Sequence, residues 1–280
     1  MNEWHGTVPP RKESRAFIRT WRKEIARQGV QSYLVCATPR SGSTLLCELL
    51  CQSGVAGQPE EYFDIRRWID LDIAARIGAG DDRAFFSAVR RTATTPNAVC
   101  GFKIHWHQRM VLHEKILCSP CLKTFGHELD RLNLYDSLNL GFYDLKFVWL
   151  RRRNDVAQAI SLYRAVQSGH WFARKPSEPA IEATYNEQAI DKHVRRTRAQ
   201  DAAWADFFTA NGIEPMVLWY EDLAADPAGE VVKLLPSIGA IGSTEARLVP
   251  ALHKQAGDQS REWEMRFRHS AASALLLSRR

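Results

Sequence analysis

The sequence predicts an α/β protein with a central parallel sheet flanked by helices. Four short runs rich in Val, Ile, Leu, Phe or Tyr lack strict alternation, as strands buried on both faces do. They occupy residues 32–38, 98–104, 145–151 and 215–220. Helical patterns lie between them, chiefly at residues 44–53, 155–168 and 187–210. Because strands that alternate with helices form parallel sheets, we expect the ligand site at the carboxyl ends of the strands.

The chain divides into a short extension and one domain. It has 280 residues, 45% of them hydrophobic, which is enough for one sizeable core over residues 31–280. Residues 1–30 form a basic amphipathic extension with a helical pattern over residues 11–28. Three large apolar residues recur there at every fourth position, namely Phe17, Trp21 and Ile25. We expect this face to pack on the domain or on a partner subunit, and a peripheral contact with an anionic membrane is the alternative.

Charge and cysteine content exclude several classes of protein. The net charge of +6 suits the binding of a polyanionic nucleotide, and no nucleic-acid-binding signature accompanies it. No apolar run approaches the ~18 residues of a membrane span. The N-terminus lacks a basic-then-apolar leader, so we expect a cytoplasmic protein. Cys118 and Cys121 form a lone C-x-x-C without regular histidine spacing, and we therefore expect reduced thiols and no metal.

The most informative stretch is the turn after the first predicted strand, Arg40-Ser41-Gly42-Ser43-Thr44. A strand, a tight loop of small residues and a helix start direct backbone N–H groups and the positive end of the helix toward an anion. Arg40 adds a positive charge, and three hydroxyl groups lie beside it. The loop has neither the Walker A pattern nor the three glycines of a dinucleotide-binding turn. It is therefore predicted to bind phosphate in another way.

Two further strand ends carry side chains suited to a nucleotide. Three arginines end the third strand, and adjacent positive charges favour an anion at that edge. Ser161 follows Arg153 by eight residues on the next helix, and Arg152 is an equally placed alternative to Arg153. The fourth strand ends at Tyr220, an aromatic residue that can stack on a base.

In order and spacing, these three segments resemble the nucleotide-binding segments of sulfotransferases. Other segments are similar to the bacterial trehalose 2-sulfotransferase family, which includes relatives linked to sulfation of lipopolysaccharide sugars. They are residues 54–63, 101–106, 164–167 and 254–263. The resemblance covers residues 33–268 and implies a P-loop-like sulfotransferase fold and a homodimer. It also implies a reaction that moves the sulfuryl group of 3′-phosphoadenosine 5′-phosphosulfate to a carbohydrate hydroxyl without a metal.

The resemblance also implies roles for single residues. Arg40 and the loop from Ser41 to Thr44 would bind the 5′-phosphate end of the donor and stabilise the charge that develops there. Arg152 or Arg153, together with Ser161, would bind the 3′-phosphate. Tyr220 would lie near the adenine.

The general base has two candidates. Glu61 is the second carboxylate of a Pro-x-Glu-[Phe/Tyr]-Phe motif, which in the resembled family takes the proton of the sugar hydroxyl. Animal-type cytosolic sulfotransferases instead have a Lys-Thr-His segment where this chain has Lys103 and His105. Because the whole motif around Glu61 matches, we favour Glu61, with Lys103 as an auxiliary cation and His105 as the alternative base.

The acceptor and the class of function have alternatives as well. Gln58 stands where the trehalose enzyme has a carboxylate that helps to hold the disaccharide, which weakens the prediction of trehalose itself. Trp171 is a candidate for stacking on a sugar. We expect a lipopolysaccharide or other glycolipid sugar, or a trehalose-like glycoside. A degenerate nucleotide kinase would need Mg²⁺ and a Walker-type Lys, and an inactive nucleotide- or membrane-binding module would not need Glu61.

Overall fold

The computed structural model describes residues 29–64, 73–119, 122, 129, 132–169, 171, 183–241, 248–251 and 257–277. The amphipathic helix predicted over residues 11–28 lies outside these ranges, as do Cys121 and residues 254–256. No helix in the described part of the chain is both long and apolar enough to cross a bilayer.

Four strands form one parallel sheet in the order β2-β1-β3-β4. They are β1 (Gln31–Ala37), β2 (Val99–His105), β3 (Lys146–Arg151) and β4 (Met216–Trp219). Every boundary lies within one residue of its predicted position, so the predicted α/β class with a parallel sheet is confirmed. The chain passes to β2 on one side of β1 and to β3 on the other, and such a change of direction opens a crevice at the carboxyl ends of the strands.

The described helices are α1 (Ser43–Gln52), α2 (Ile73–Arg76), α3 (Asp82–Ala93), α4 (Arg109–Leu117), α5 (Leu134–Gly141), α6 (Asp155–Ser168), α7 (Glu187–Ala210), α8 (Tyr220–Ala225), α9 (Pro227–Leu234) and α10 (Asp258–Leu277). A 3-10 turn, Trp106–Gln108, follows β2 directly. Helices α6 and α7 have the predicted bounds. Both begin at an asparagine, since Asn154 and Asn186 each accept a hydrogen bond at 2.9 Å from the backbone N–H three residues later.

The sheet separates two hydrophobic cores. Leu34 and Cys36 of β1 share one core with Trp204 of α7, whose Nε1 donates to the carbonyl oxygen of Ala37 at 3.1 Å. The alternate residues Tyr33 and Val35 belong to a second core with α1 and α9. Because successive strand residues point to opposite faces, the run of buried residues in β1 reflects helices on both sides of the sheet.

The prediction that residues 215–220 are buried on both faces is wrong. β4 pairs with β3 at the end of the strand order, so its other side lacks a neighbouring strand among the described residues. Leu218 is buried, whereas the side chain of Val217 is 48% exposed. Tyr220 begins helix α8 instead of ending the strand. The apolar composition of β4 therefore did not indicate its position in the sheet.

Candidate functional site

A tight loop joins β1 to α1 at the carboxyl edge of the sheet. Its backbone has a φ of 65° at Arg40 and 92° at Gly42, and the Ser41 N–H donates to the Thr38 carbonyl oxygen at 3.2 Å. A Cβ atom at position 42 would lie 2.4 Å from Cδ2 of Tyr220. Glycine is therefore required at this position by its φ and by the close approach of the Tyr220 ring.

The start of α1 has the features of an anion site. Gly42 precedes the helix and provides no side-chain cap, so the first backbone N–H groups of α1 have no side-chain acceptor from that position. Ser41 Oγ is fully buried and has no hydrogen-bond partner within the described ranges. An anion at this helix end would accept hydrogen bonds from the backbone N–H groups and from the Ser41 hydroxyl.

Two arginines bring positive charge to the same loop. Arg152 donates to the carbonyl oxygen of Arg40 at 3.0 Å, and Arg40 Nε donates to Ser161 Oγ at 2.9 Å. Arg40 also donates to the main-chain oxygen of Trp171. Burial, and after it the charge of Arg152, lowers the pKa of Arg40 to about 10. An anion between the two guanidinium groups would relieve their repulsion.

The structure brings Arg152 to this loop and directs Arg153 away from it. Both terminal nitrogens of Arg153 bind the carboxylate of Asp222, at 2.8 and 2.7 Å, and about half of each side chain is exposed. Arg152 lies with its guanidinium 4.4 Å from the centroid of the Tyr220 ring, which itself covers Gly42. Among the predicted pair, Arg152 therefore has the contacts expected of a residue that faces a ligand in the loop.

Gln158 is a loop contact that the sequence did not reveal. It lies in α6, its side chain is 2% exposed, and its Nε2 donates to Thr38 Oγ1 and to the carbonyl oxygen of Pro39, both at 2.7 Å. It thereby ties α6 to the start of the loop. A single polar residue inside an amphipathic helix carries no sequence signal for such a contact.

A second cluster surrounds Glu61, whose residue surface is 8% exposed. Lys103 Nζ lies 2.8 Å from Oε2, and Oε1 lies 3.2 Å from His105 Nδ1. Gln108, also missed from the sequence, donates from Nε2 to Oε1 at 2.5 Å. Burial on its own raises the pKa of Glu61, but the charges and hydrogen bonds of His105 and Lys103 outweigh it and hold this pKa well below its usual value. Glu61 is consequently ionised at neutral pH.

The loop before Glu61 is fixed by its contacts with β2. A Cβ atom on Gly57 would lie 2.7 Å from the backbone nitrogen of Gly101, so the absence of a side chain allows this close approach. The N–H of Lys103 donates to the carbonyl oxygen of Glu60 at 3.1 Å. After Glu61, Phe63 is fully buried, and its ring makes a T-shaped contact with Phe102 at 6.3 Å between centroids. The carboxylate is thus held between a fixed loop and the core.

His105 joins the two clusters. Its Nδ1 contacts Glu61, and its Nε2 lies 3.4 Å from Ser43 Oγ, at the start of α1. The register of the sheet explains this position, since His105 pairs with Ala37, the last residue of β1 before the loop. A carboxylate suited to accept a proton and a loop suited to bind phosphate therefore lie on either side of one imidazole ring.

Comparisons with known proteins identify the family of the chain. The sequence profile of the Stf0 sulphotransferase family matches residues 32–270. The chain belongs to the Stf0 family. A relative named trehalose 2-sulfotransferase from Mycobacterium tuberculosis (strain ATCC 35801 / TMC 107 / Erdman) is 32% identical over 273 residues, which cover 87% of this chain and 97% of the relative. A second relative of the same name, from Mycolicibacterium smegmatis (strain ATCC 700084 / mc(2)155), is 29% identical over 264 residues. These residues cover 86% of this chain and 95% of the relative.

Among solved structures, the chain is similar to the sulfotransferase domain from the Synechococcus PCC 7002 olefin synthase. The superposition covers 83% of this chain and 80% of that domain's chain, with 15% identity and a TM-score of 0.37. The family match confirms the resemblance found in the sequence, and with it the class of enzyme: this Stf0 protein is a sulfotransferase.

Three other residues predicted for the site of this Stf0 protein are Thr44, Gln58 and Trp171. Thr44 is the second residue of α1 and is half-buried. Gln58 is half-buried, and its carbonyl oxygen accepts a hydrogen bond from the Tyr62 hydroxyl at 2.9 Å. Trp171 contributes its main-chain oxygen to Arg40, and residues 172–182 lie outside the described ranges. Within those ranges no three His, Cys, Asp or Glu residues are placed to hold a metal ion, and Cys118 is an exposed free thiol.

Proposed function

We propose that this Stf0 protein transfers the sulfuryl group of 3′-phosphoadenosine 5′-phosphosulfate to a carbohydrate hydroxyl, with Glu61 as the general base. The position of His105 carries the proposal, because it joins the ionised Glu61 to Ser43 at the uncapped start of α1. A sugar hydroxyl is a poor nucleophile, and its activation requires a proton acceptor next to the reacting centre.

The donor would lie along the loop after β1. The backbone N–H groups at the start of α1, Ser41 and Arg40 are suited to its 5′-phosphate end, and the fully buried Ser41 hydroxyl fits this role because it has no partner within the described ranges. Arg152 is proposed for the 3′-phosphate in preference to Arg153, which is engaged with Asp222. Tyr220 beside Arg152 would provide an aromatic face for the adenine.

In the proposed reaction the acceptor oxygen forms a bond to sulfur while the bond from sulfur to the 5′-phosphate oxygen breaks. The electron pair of that bond leaves with adenosine 3′,5′-bisphosphate, and the hydroxyl proton passes to Glu61. Lys103, 2.8 Å from Glu61, and Arg40 in the loop supply positive charge on the two sides of the transfer. His105 orients the carboxylate and is the alternative proton acceptor.

Two observations bear on the acceptor. The relatives described above are named trehalose 2-sulfotransferases, so trehalose is the first acceptor to test. In this chain Gln58 provides an amide in place of the expected carboxylate, and an amide can both donate to and accept from sugar hydroxyls. We therefore propose a neutral glycoside or the sugar of a glycolipid as the acceptor class.

Calorimetry with adenosine 3′,5′-bisphosphate, 5′-AMP and ATP, with and without Mg²⁺, tests the donor site. We expect a large, metal-independent preference for the bisphosphate. Transfer of ³⁵S from labelled donor to trehalose, to other small glycosides and to glycolipids then tests the acceptor. Preference for ATP with Mg²⁺ would contradict the proposal in favour of phosphoryl transfer. Tight bisphosphate binding without transfer to any glycan would indicate a nucleotide-binding module.

A further inference from the structure

We propose that Gln108 is the positioning residue of the base, and that its side-chain amide holds the Glu61 carboxylate in a fixed orientation relative to His105. This inference rests on the proposed role of Glu61. Gln108 ends the 3-10 turn that follows β2, and its residue surface is 2% exposed. It lies 47 residues from Glu61 in the sequence, so the fold and not the local chain brings the two side chains together.

Both ends of the Gln108 amide are used. Nε2 donates to Glu61 Oε1 at 2.5 Å, and the amide oxygen accepts from the backbone N–H of His105 at 2.8 Å. A backbone N–H can only donate, so the amide oxygen must face His105 and the NH₂ group must face Glu61. The orientation of the amide therefore follows from the chemistry of its partners.

The Gln108 contact favours one protonation state of Glu61. A donor to a carboxylate stabilises its ionised form, and an amide does so without adding a charge. Lys103 and His105 also contact Glu61, at 2.8 and 3.2 Å. Because an amide carries no charge, the Gln108 contact with Oε1 does not depend on an ion pair. The proton acceptor is therefore held by a neutral donor as well as by its cationic neighbour.

A second buried glutamine provides a matched control. Gln158 is also 2% exposed and also makes two hydrogen bonds through its amide. Its partners, Thr38 and Pro39, belong to the phosphate loop, the turn of residues 38–42 between β1 and α1. If the two glutamines were general packing residues, their replacement would have similar consequences. If instead Gln108 positions Glu61, replacing Gln108 should slow proton transfer, whereas replacing Gln158 should weaken binding of the donor.

The test compares Gln108→Met, Gln108→Glu and Gln158→Met in the full chain. Methionine removes the amide at similar volume, whereas glutamate keeps an acceptor and replaces the NH₂ donor by a group that titrates. Losing a hydrogen bond to a charged group predicts a fall in kcat of about ten- to a hundredfold for Gln108→Met, with an unchanged KM for the donor. In a plot of kcat against pH, the fall in activity on the acid side (the acid limb) should move to higher pH in Gln108→Met. The shift should be larger in Gln108→Glu. Gln158→Met should raise the KM for the donor and leave the acid limb in place.

Carbon-13 NMR of the Glu61 carboxyl, assigned with Glu61→Gln, reports the same change without requiring turnover. If the Glu61 carboxyl titrates with a midpoint at higher pH in the Gln108 variants than in the wild type, the inference is supported. This holds even if no acceptor is sulfated and the proposed function fails. If the wild-type enzyme is active and neither the acid limb nor the Glu61 titration moves in a folded Gln108 variant, the inference is wrong. Should Gln108→Met fail to fold, Gln108→Glu decides the outcome by the same two measurements.

Discussion

The two halves of the site differ in how fully their polar groups are paired. At the phosphate loop, the turn of residues 38–42 between β1 and α1, the buried Ser41 hydroxyl has no partner within the described ranges and α1 lacks a side-chain cap from Gly42. Around Glu61, by contrast, both carboxylate oxygens contact donors, and the interactions with His105 and Lys103 outweigh the cost of burial and hold the pKa of Glu61 well below its usual value.

The two halves therefore differ in when their polar interactions form. The phosphate loop places donors where an anion is to bind, so the Ser41 hydroxyl and the start of α1 gain their acceptors only with the ligand. The Glu61 cluster is complete within the protein, so the orientation and charge of the base are set in advance. Substitutions should therefore affect ligand affinity in the first half and turnover in the second.

Glu61→Gln should produce the largest effect. It preserves shape and removes the proton acceptor, and loss of general base catalysis predicts a fall in kcat of roughly 10²–10⁴-fold. The affinity for adenosine 3′,5′-bisphosphate should remain of the same order, since the loop is unaltered. Sulfated product formation and calorimetry measure the two quantities. Retained turnover in Glu61→Gln together with loss in His105→Ala would assign the base to His105.

Arg152→Ala should have the next largest effect, and it should act on nucleotide binding at the phosphate loop. Loss of hydrogen bonds to a charged group, about 1.5–3 kcal/mol, predicts a rise in the Kd of the bisphosphate and a weaker preference for it over 5′-AMP. Arg153→Ala is the neighbouring control, and its exposed pair with Asp222 should contribute little. A larger loss of bisphosphate preference in Arg153→Ala than in Arg152→Ala, measured by calorimetry, would reverse the assignment of the 3′-phosphate.

Gly42→Ala tests whether the phosphate loop depends on its tight backbone. A left-handed residue other than glycine costs roughly 1–2 kcal/mol, and the new Cβ would also overlap the Tyr220 ring. Gly29→Ala is the control, because Gly29 also has a positive φ, 66°, but nothing lies within 4 Å of its Cβ position. Urea unfolding should show a greater loss of stability for Gly42→Ala, accompanied by weaker bisphosphate binding. Equal losses for the two variants would show that the contact with Tyr220 is unimportant.

Lys103→Met should reduce the free energy of unfolding at neutral pH, where the ion pair with Glu61 is formed, and this loss should disappear once acid has protonated Glu61. The folded pKa of Glu61 lies below the unfolded one, so the stability that Glu61 contributes is present above its unfolded pKa and is lost as the pH falls through its folded pKa. Removing Lys103 raises the folded pKa. The acid limb of kcat/KM and the acid unfolding midpoint should both move to higher pH.

The control is Lys146→Met, which removes an exposed lysine paired with Asp144 at 2.9 Å. This change should leave the acid limb in place. If Lys103→Met leaves it unchanged as well, then Lys103 does not set the charge of Glu61.

Local pattern was enough to predict much of the fold and part of the site. The strand boundaries, α6, α7 and the loop from Arg40 to Thr44 each depend on a short run of residues. The position of β4 at the end of the order of the described strands depends on strand pairing, which its own composition does not encode. The roles of Gln108 and Gln158 could not be found because Glu61 lies 47 residues from Gln108, and Thr38 and Pro39 lie about 120 residues from Gln158. The choice between Arg152 and Arg153 depended on which way each side chain leaves the end of β3.

The uncapped start of α1 has a consequence for the heat stability of the protein. A ligand that binds only the folded chain raises the free energy of unfolding, by about 2.7 kcal/mol at a concentration one hundred times its Kd. A nucleotide in the loop would supply an acceptor for the Ser41 hydroxyl and for the N–H groups at the start of α1, which Gly42 leaves without a side-chain cap. The melting temperature should therefore rise with nucleotide concentration, and the spent donor would protect the enzyme against unfolding as well as compete for its site.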